Sequence, residues 1–170
     1  MSKAIKEHPD MRILKTATCK SVTGKSTLTY QIGCTPNNTI HIRIINNTNS
    51  GFWNSEFLAI ADIQKALADG PKGQPLTSFL LQPLFQGRSS NSPGFMMAAL
   101  TNERLLRVLK GKKRGHEFLD PEGFNASMDK LVASKAKSEG TAGSTVKKAP
   151  RKKAAIKKKA TSRRKTATST

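Results

Sequence analysis

Two runs of alternating residues on either side of a turn constrain this chain more than any other feature. In "TLTYQI", Leu28, Tyr30 and Ile32 alternate with Thr27, Thr29 and Gln31. In "IHIRII", Ile40, Ile42 and Ile44 alternate with His41, Arg43 and Ile45. A period of two gathers one set of side chains on one face of a strand. "CTPNN" between the runs has turn chemistry, so the pair predicts an antiparallel β-hairpin. A two-stranded hairpin is marginal alone, and its apolar face needs a cover. "MRILKTATC", from Met11 to about Cys19, reads as a third strand, joined to the hairpin through the turn "KSVTGK".

The cover is expected from helices. Phe52, Trp53 and Phe57 supply large apolar area where sheet meets helix. Ser55 is the expected cap of a helix reaching about Asp69, stopped by Gly70 and Pro71. Its face is Phe57, Ile60, Ile63, Gln64 and Leu67. After Thr77 or Ser78, "FLLQPLF" predicts a helix that Pro83 keeps short or kinked. Ser92 and Pro93 read as an N-cap and a first-turn proline. Phe95, Ala98, Ala99, Leu105, Leu106 and Leu109 then follow at near-helical spacing from Gly94 to Lys110. Asn102 interrupts that stripe, "TNER" is a candidate restart, and Gly111 is the expected stop. "GHEFLD" suits a short strand. Asp120-Pro121 opens a last helix carrying Phe124, Met128, Leu131 and Val132. The expectation is an α+β domain: an N-terminal antiparallel β-hairpin or three-stranded sheet followed by three to four helices. Residues 1–10 are expected to be a flexible lead-in, residues 11–133 the domain, and residues 134–170 a disordered Lys-rich tail.

Charge is segregated along the 170 residues. The formal net charge is +19. From Ser134 onward, 13 basic residues stand against one acidic residue, a net +12; the preceding residues carry 17 against 10, a net +7. Such an excess attracts polyanions, nucleic acid first among them. A membrane-binding tail would pair its cations with apolar residues or a lipid anchor, and Ile156 is the one large apolar residue after Val146. No run of about 18 apolar residues suggests a membrane span. The start "MSKAIKEHPD" lacks a signal-peptide core, so an intracellular protein is expected, in cytoplasm or nucleoid rather than nucleus. Cys19 and Cys34 read as reduced thiols in or near strands, with a disulfide as the alternative in an exported protein.

"TGKST" resembles the end of a phosphate-binding loop. That loop requires a first glycine where this chain has Cys19, and it requires a helix after the lysine. Here a strand follows. Gly24, Lys25 and Ser26 therefore read as a tight turn, with Lys25 at most one phosphate contact. His8, His41 and His116 have no metal-ligand spacing and read as solvent-facing. Asp120 and Glu122 suit a helix start better than catalysis. No catalytic residue, metal or cofactor is assigned.

Nucleic-acid features carry more weight. "ERLLRVLKGKKRG" places Arg104, Arg107, Lys110, Lys112, Lys113 and Arg114 at the end of a helix and in the loop after it, with Arg104, Arg107 and Arg114 off the leucine face. The alternative is an ordinary solvated helix end. Residues 78–109 contain the parts of a loose helix-turn-helix, with Arg88 and Ser89–Ser92 meeting phosphates or base edges; an ordinary surface loop is the alternative. The tail "VKKAPRKKAAIKKKATSRRKTATST" repeats clusters of two or three cations separated by Ala, Pro, Ser or Thr. It resembles the Lys/Ala-rich tails of linker histones and of bacterial histone-like proteins. The resemblance covers about the last 25 residues. It implies sequence-independent DNA binding through Lys147, Lys148, Arg151, Lys152, Lys153, Lys157, Lys158, Lys159, Arg163, Arg164 and Lys165. The alternative is a solubilising or import tail. The expected function is therefore a non-enzymatic DNA-binding protein, nucleoid-associated or regulatory. RNA or ribosome binding is the second reading. A protein-interaction adaptor, using the hairpin and Phe52/Trp53, is the third.

Overall fold

The computed structural model describes residues 10–49, 51–85, 89–111 and 114–139, with the backbone alone for 135–139. It is an α+β domain built on a four-stranded antiparallel sheet. The strands are β1 (Arg12–Lys20), β2 (Thr27–Cys34), β3 (Ile40–Asn47) and the short β4 (Leu58–Ala59), paired in that order. The predicted hairpin is β2–β3, and the third strand lies beside it as β1. Leu28, Tyr30, Ile32, Ile42 and Ile44 are fully buried on one sheet face.

Helix α1 (Ile60–Ala68), a 3₁₀ helix (Ser78–Phe85), α2 (Ser92–Asn102) and α3 (Glu122–Glu139) follow. Ile63 and Leu67 of α1, Leu81 and Phe85 of the 3₁₀ helix, Met96, Met97 and Leu100 of α2, and Phe124 and Met128 of α3 close the core. Each buried Leu, Met or Phe contributes about 1.5–3 kcal/mol of transfer free energy.

Two β-bulges set which residues reach the core. Thr29 pairs with Asn46 but Tyr30 pairs with Ile44, so Ile45 is an extra residue in β3. An inserted residue reverses the alternation beyond it. Asn47 consequently stands opposite Leu28 and is buried. In β1 the register shifts at Leu14, which puts Lys15, Ala17 and Cys19 opposite Ile32, Tyr30 and Leu28 on the core side.

Several expectations are corrected. Ser55 does not cap α1, which begins five residues later, after β4; Ala59 precedes it without a side-chain cap. Backbone pairing of β4 to β3 overrides the helical pattern there. Arg43, which alternates with Ile42 and Ile44 in β3, is buried as well. Its guanidinium bonds Gln31 Oε1 at 2.8 and 3.0 Å and lies 4.4 Å from the ring centre of Phe57. The segment before β4 thus covers part of the second sheet face. Ser92 is not the N-cap of α2. It is fully buried, and its hydroxyl accepts from the Asn54 N–H at 2.7 Å.

The helix expected to reach Lys110 ends at Asn102. Arg104 has φ 62, which ends the helix, and β5 (Leu106–Val108) pairs with β6 (His116–Phe118). The Gly111 turn, at φ 76, sits between those strands. Helix α3 runs to Glu139, six residues past the expected boundary at 133. The lead-in and the rest of the proposed tail lie outside the described residues. No helix among the described residues is long and apolar enough to cross a membrane.

Candidate functional site

The described basic residues picked from "ERLLRVLKGKKRG" line three different cavities: Arg104 one, Arg114 another, and Arg107 and Lys110 a third. Arg107 is exposed on β5 and donates to Glu117 of β6 at 2.6 Å, so part of its charge is already matched. Lys110 is exposed in the β5–β6 turn. Arg104 opens onto a groove of mixed charge that also holds Glu103, Asp120, Lys15 and Lys130, so carboxylates there compete with phosphate for its charge. Arg114 alone joins a cavity of another kind. Arg88, Lys112, Lys113 and the tail cations lie outside the described residues.

Helix α2 does not suit a recognition helix. Seven of its eleven residues are buried, Ser92 and Pro93 among them. A helix lying in a groove needs a free face, and this one is enclosed by sheet, 3₁₀ helix and β5. The loose helix-turn-helix reading is therefore dropped.

The cavity holding Arg114 is about 480 Å³. It gathers segments far apart in sequence: the β1–β2 turn, the end of β3, the start of the 3₁₀ helix, the first turn of α2, and β6. The turn is held by its own backbone. Gly24 N–H donates to the Ser21 carbonyl at 2.7 Å, and Ser21 N–H to the Ser26 carbonyl at 2.9 Å. Gly24 has φ 74, a conformation in which glycine avoids the clash of a Cβ. Ser21 Oγ also accepts from the Ser26 N–H at 3.2 Å. Asn47 reaches the cavity because of the Ile45 bulge, and its Oδ1 accepts from the Asn49 N–H.

Lys25 and Arg114 are both exposed cavity residues, and neither makes an ion pair with a described residue. No Asp or Glu among the described residues lines the cavity. The first turn of α2 supplies Asn91, Gly94 and Phe95 to the wall, and that helix start has no side-chain cap. Asn91 N–H donates to Ser89 Oγ at 3.3 Å and Pro93 has no N–H, which leaves the Ser92 and Gly94 N–H groups of the first turn without an intrahelical partner.

His116 is the residue the sequence reading missed. It is not solvent-facing: 2% of it is exposed. Its backbone exchanges two hydrogen bonds with Leu76, at 2.8 and 2.9 Å, and on the other side pairs with Val108. That two-sided pairing holds the ring between the cavity and a second groove along residues 67–76. Its Nδ1 is buried and has no hydrogen-bond partner. Burial pulls its pKa below the usual histidine value, opposed by the backbone carbonyls of Arg114 and Leu76. The imidazole is therefore neutral at pH 7.

A second polar cluster is structural. Lys15 Nζ donates to both carboxylate oxygens of Glu103, at 2.7 and 2.9 Å. Tyr30 donates its hydroxyl proton to Glu103 Oε1 and accepts from Asn102 Nδ2 at 2.7 Å. Burial first, then the bond to Glu103, raise the Tyr30 pKa far above its usual value. Burial, reinforced by Glu103, pushes the Cys19 thiol up to about 11. Cys19 and Cys34 are both free thiols. No group of three His, Cys, Asp or Glu side chains suited to a metal gathers among the described residues. Comparison of the chain with protein-family models, with curated proteins and with solved structures returns no match.

Proposed function

We propose that the chain is a non-enzymatic DNA-binding protein whose binding is largely independent of base sequence. The observation that carries this reading is charge segregation: a net +12 lies in the last 37 residues of a chain whose net charge is +19. Eleven of those cations, Lys147 to Arg164 and Lys165, follow the last described residue of α3. Clustered cations gain affinity by releasing counterions from phosphates, whatever the base sequence. Lys110 on the β5–β6 turn adds an exposed cation without a carboxylate partner, whereas Arg107 contributes less because Glu117 competes for it. The positioning role moves from α2, which is buried, to this hairpin.

The test is a gel-shift series on duplex DNA across salt concentrations, with the full chain and with a chain ending at Glu139. If all eleven cations meet phosphates, the slope of log K against log salt approaches about −10, at about 0.9 counterion per contact. Truncation should flatten it to a few units. Failure of the full chain to bind at low salt would sink the reading. Competition with structured RNA separates DNA from RNA as the preferred polyanion.

A second reading, the protein-interaction adaptor, is favoured by Phe52, which is 81% exposed. Its carbonyl is held by Ser89 Oγ at 2.9 Å and Asn91 Nδ2 at 3.2 Å, so the ring is presented on a tethered loop. Trp53 packs partly against the core, so Phe52→Ser tests partner capture with less cost in stability.

A further inference from the structure

The cavity between the β1–β2 turn and α2 is set apart by its chemistry. Among the described cavities of comparable size, the one bordering Arg104 holds Glu103 and Asp120 beside Lys15 and Lys130, the groove on the far side of His116 holds Glu117 and Lys72, and the one along Arg107 and Lys110 has no carboxylate in its lining but its Arg107 is already paired with Glu117. This cavity has Lys25 and Arg114 and no carboxylate. Two unmatched cations beside an uncapped helix start make a region where negative charge is stabilised. Helix α2 has eleven residues, so its dipole is developed. Gly94, in its first turn, lines the cavity, and a Cβ there would meet nothing within 4 Å, so its backbone is open to close approach.

A helix start alone identifies nothing. The second observation is His116, 2% exposed, which lines this cavity as well as the groove behind it and whose buried Nδ1 lacks a hydrogen-bond partner among the described residues. An unmade buried hydrogen bond is destabilising, and such groups are rare in folded proteins. The backbone pairs with Leu76 and Val108 on either side, and the carbonyls of Arg114 and Leu76 lie close enough to influence the ring, but neither makes a hydrogen bond to Nδ1.

The cavity also exceeds what a lone anion needs. Its 480 Å³ falls within the range of small-molecule sites, about 300–1,000 Å³. Phe79 borders it and is 77% exposed, an aromatic face left open to a planar group.

We propose that this cavity binds a nucleotide carrying a terminal phosphate, with the phosphate between Lys25, Arg114 and the start of α2, and the base against Phe79. The Gly24–Lys25–Ser26 turn thus contributes to a phosphate site without being a phosphate-binding loop: the helix it uses begins 67 residues after Lys25 rather than next to it. A free mononucleotide and the phosphorylated 5′ end of a nucleic acid share this chemistry. The inference does not rest on DNA binding by the tail.

The test is amide and imidazole NMR of the full chain at about 0.15 M salt, where exposed charges are screened beyond about 8 Å. The probes are adenosine 5′-monophosphate, adenosine, inorganic phosphate, and short single strands with 5′-phosphate or 5′-hydroxyl ends. The monophosphate should shift the amides of Gly24, Lys25 and Gly94 and the His116 ring, and bind at least tenfold tighter than adenosine or phosphate. Lys25→Gln and Arg114→Gln, both at exposed positions, should each weaken it at least tenfold. Phe79→Ala should weaken the monophosphate while leaving inorganic phosphate unchanged. A Lys25-dependent preference for the 5′-phosphate strand assigns the site to nucleic-acid ends; monophosphate binding without that preference assigns it to free nucleotides. Shifts confined to residues 140–170, equal binding of adenosine, equal binding of inorganic phosphate, or unchanged affinity in both charge variants would each overturn the proposal.

Discussion

Replacing Tyr30 by phenylalanine removes one oxygen from the polar cluster that ties the sheet to the end of α2. Tyr30 is fully buried, and the carboxylate it serves belongs to a side chain only 6% exposed. The hydroxyl donates to Glu103 and accepts from Asn102. Asn102 is exposed, so its amide turns to water at little cost. The Glu103 oxygen has no such exit. A hydrogen bond to a charged group contributes about 1.5–3 kcal/mol, so Tyr30→Phe should destabilise the domain by about 2 kcal/mol. Lys15 contributes less than its two short contacts suggest, because its side chain is 38% exposed and solvent screens it. The described domain spans about 130 residues. At about 2.1 cal/mol/K per residue the unfolding entropy is near 270 cal/mol/K, so 2 kcal/mol lowers Tm by about 7 °C. Urea and thermal unfolding, followed by circular dichroism and Trp53 fluorescence, measure this. A double-mutant cycle with Glu103→Gln should return a coupling of about 1 kcal/mol or more. A Tyr30→Phe protein within about 0.5 kcal/mol of the parent, or a cycle with no coupling, would refute the reasoning.

Three further outcomes follow from single residues. The pKa of His116 is lowered by folding, so the unfolded chain takes up its proton first as pH falls. Its share of stability is complete above about pH 6.5 and is lost below it, and urea unfolding between pH 7.5 and 5 should show a slope that His116→Gln reduces. Cys19, with its thiol near 11, is about one part in a thousand thiolate at pH 8. Its reaction with a disulfide reagent should be about a hundredfold slower than that of a free thiol, and Glu103→Gln should speed it; rapid labelling of Cys19 in the folded parent would count against its burial. At Gly24, φ is 74 and an added Cβ meets nothing within 4 Å, so the cost of Gly24→Ala is backbone strain alone, about 1–2 kcal/mol, with Gly24→Asn costing less. Equal stability of the three proteins in urea would show that the turn does not require this conformation.

The sheet was legible because its signal is local. Leu28, Tyr30, Ile32, Ile42 and Ile44 show their common face by alternation, and "TGK" and "TPNN" mark turns by residue type. The segment after Asn102 was misread for the converse reason. "ERLLRVLKG" has apolar residues at spacings compatible with helix or strand, and a short apolar run does not discriminate. What decides is the partner: β6 offers Leu106 and Val108 a ladder, and Arg104 at φ 62 makes the break. His116 was misjudged alike. Its burial comes from Leu76, 40 residues earlier, pairing along its other side.

The amino-acid sequence by itself determined the class of fold, the segregation of positive charge and the rejection of a contiguous phosphate-binding loop, since each depends on composition, on period, or on which residue follows which. Which groups meet in the cavity was decided only by the tertiary structure. Lys25, Asn47, Phe79, Gly94 and His116 lie on five segments that carry no common sequence signal. They converge because the sheet's apolar face must be covered, because one inserted residue at Ile45 turns Asn47 inward, and because Leu76 pairs with His116.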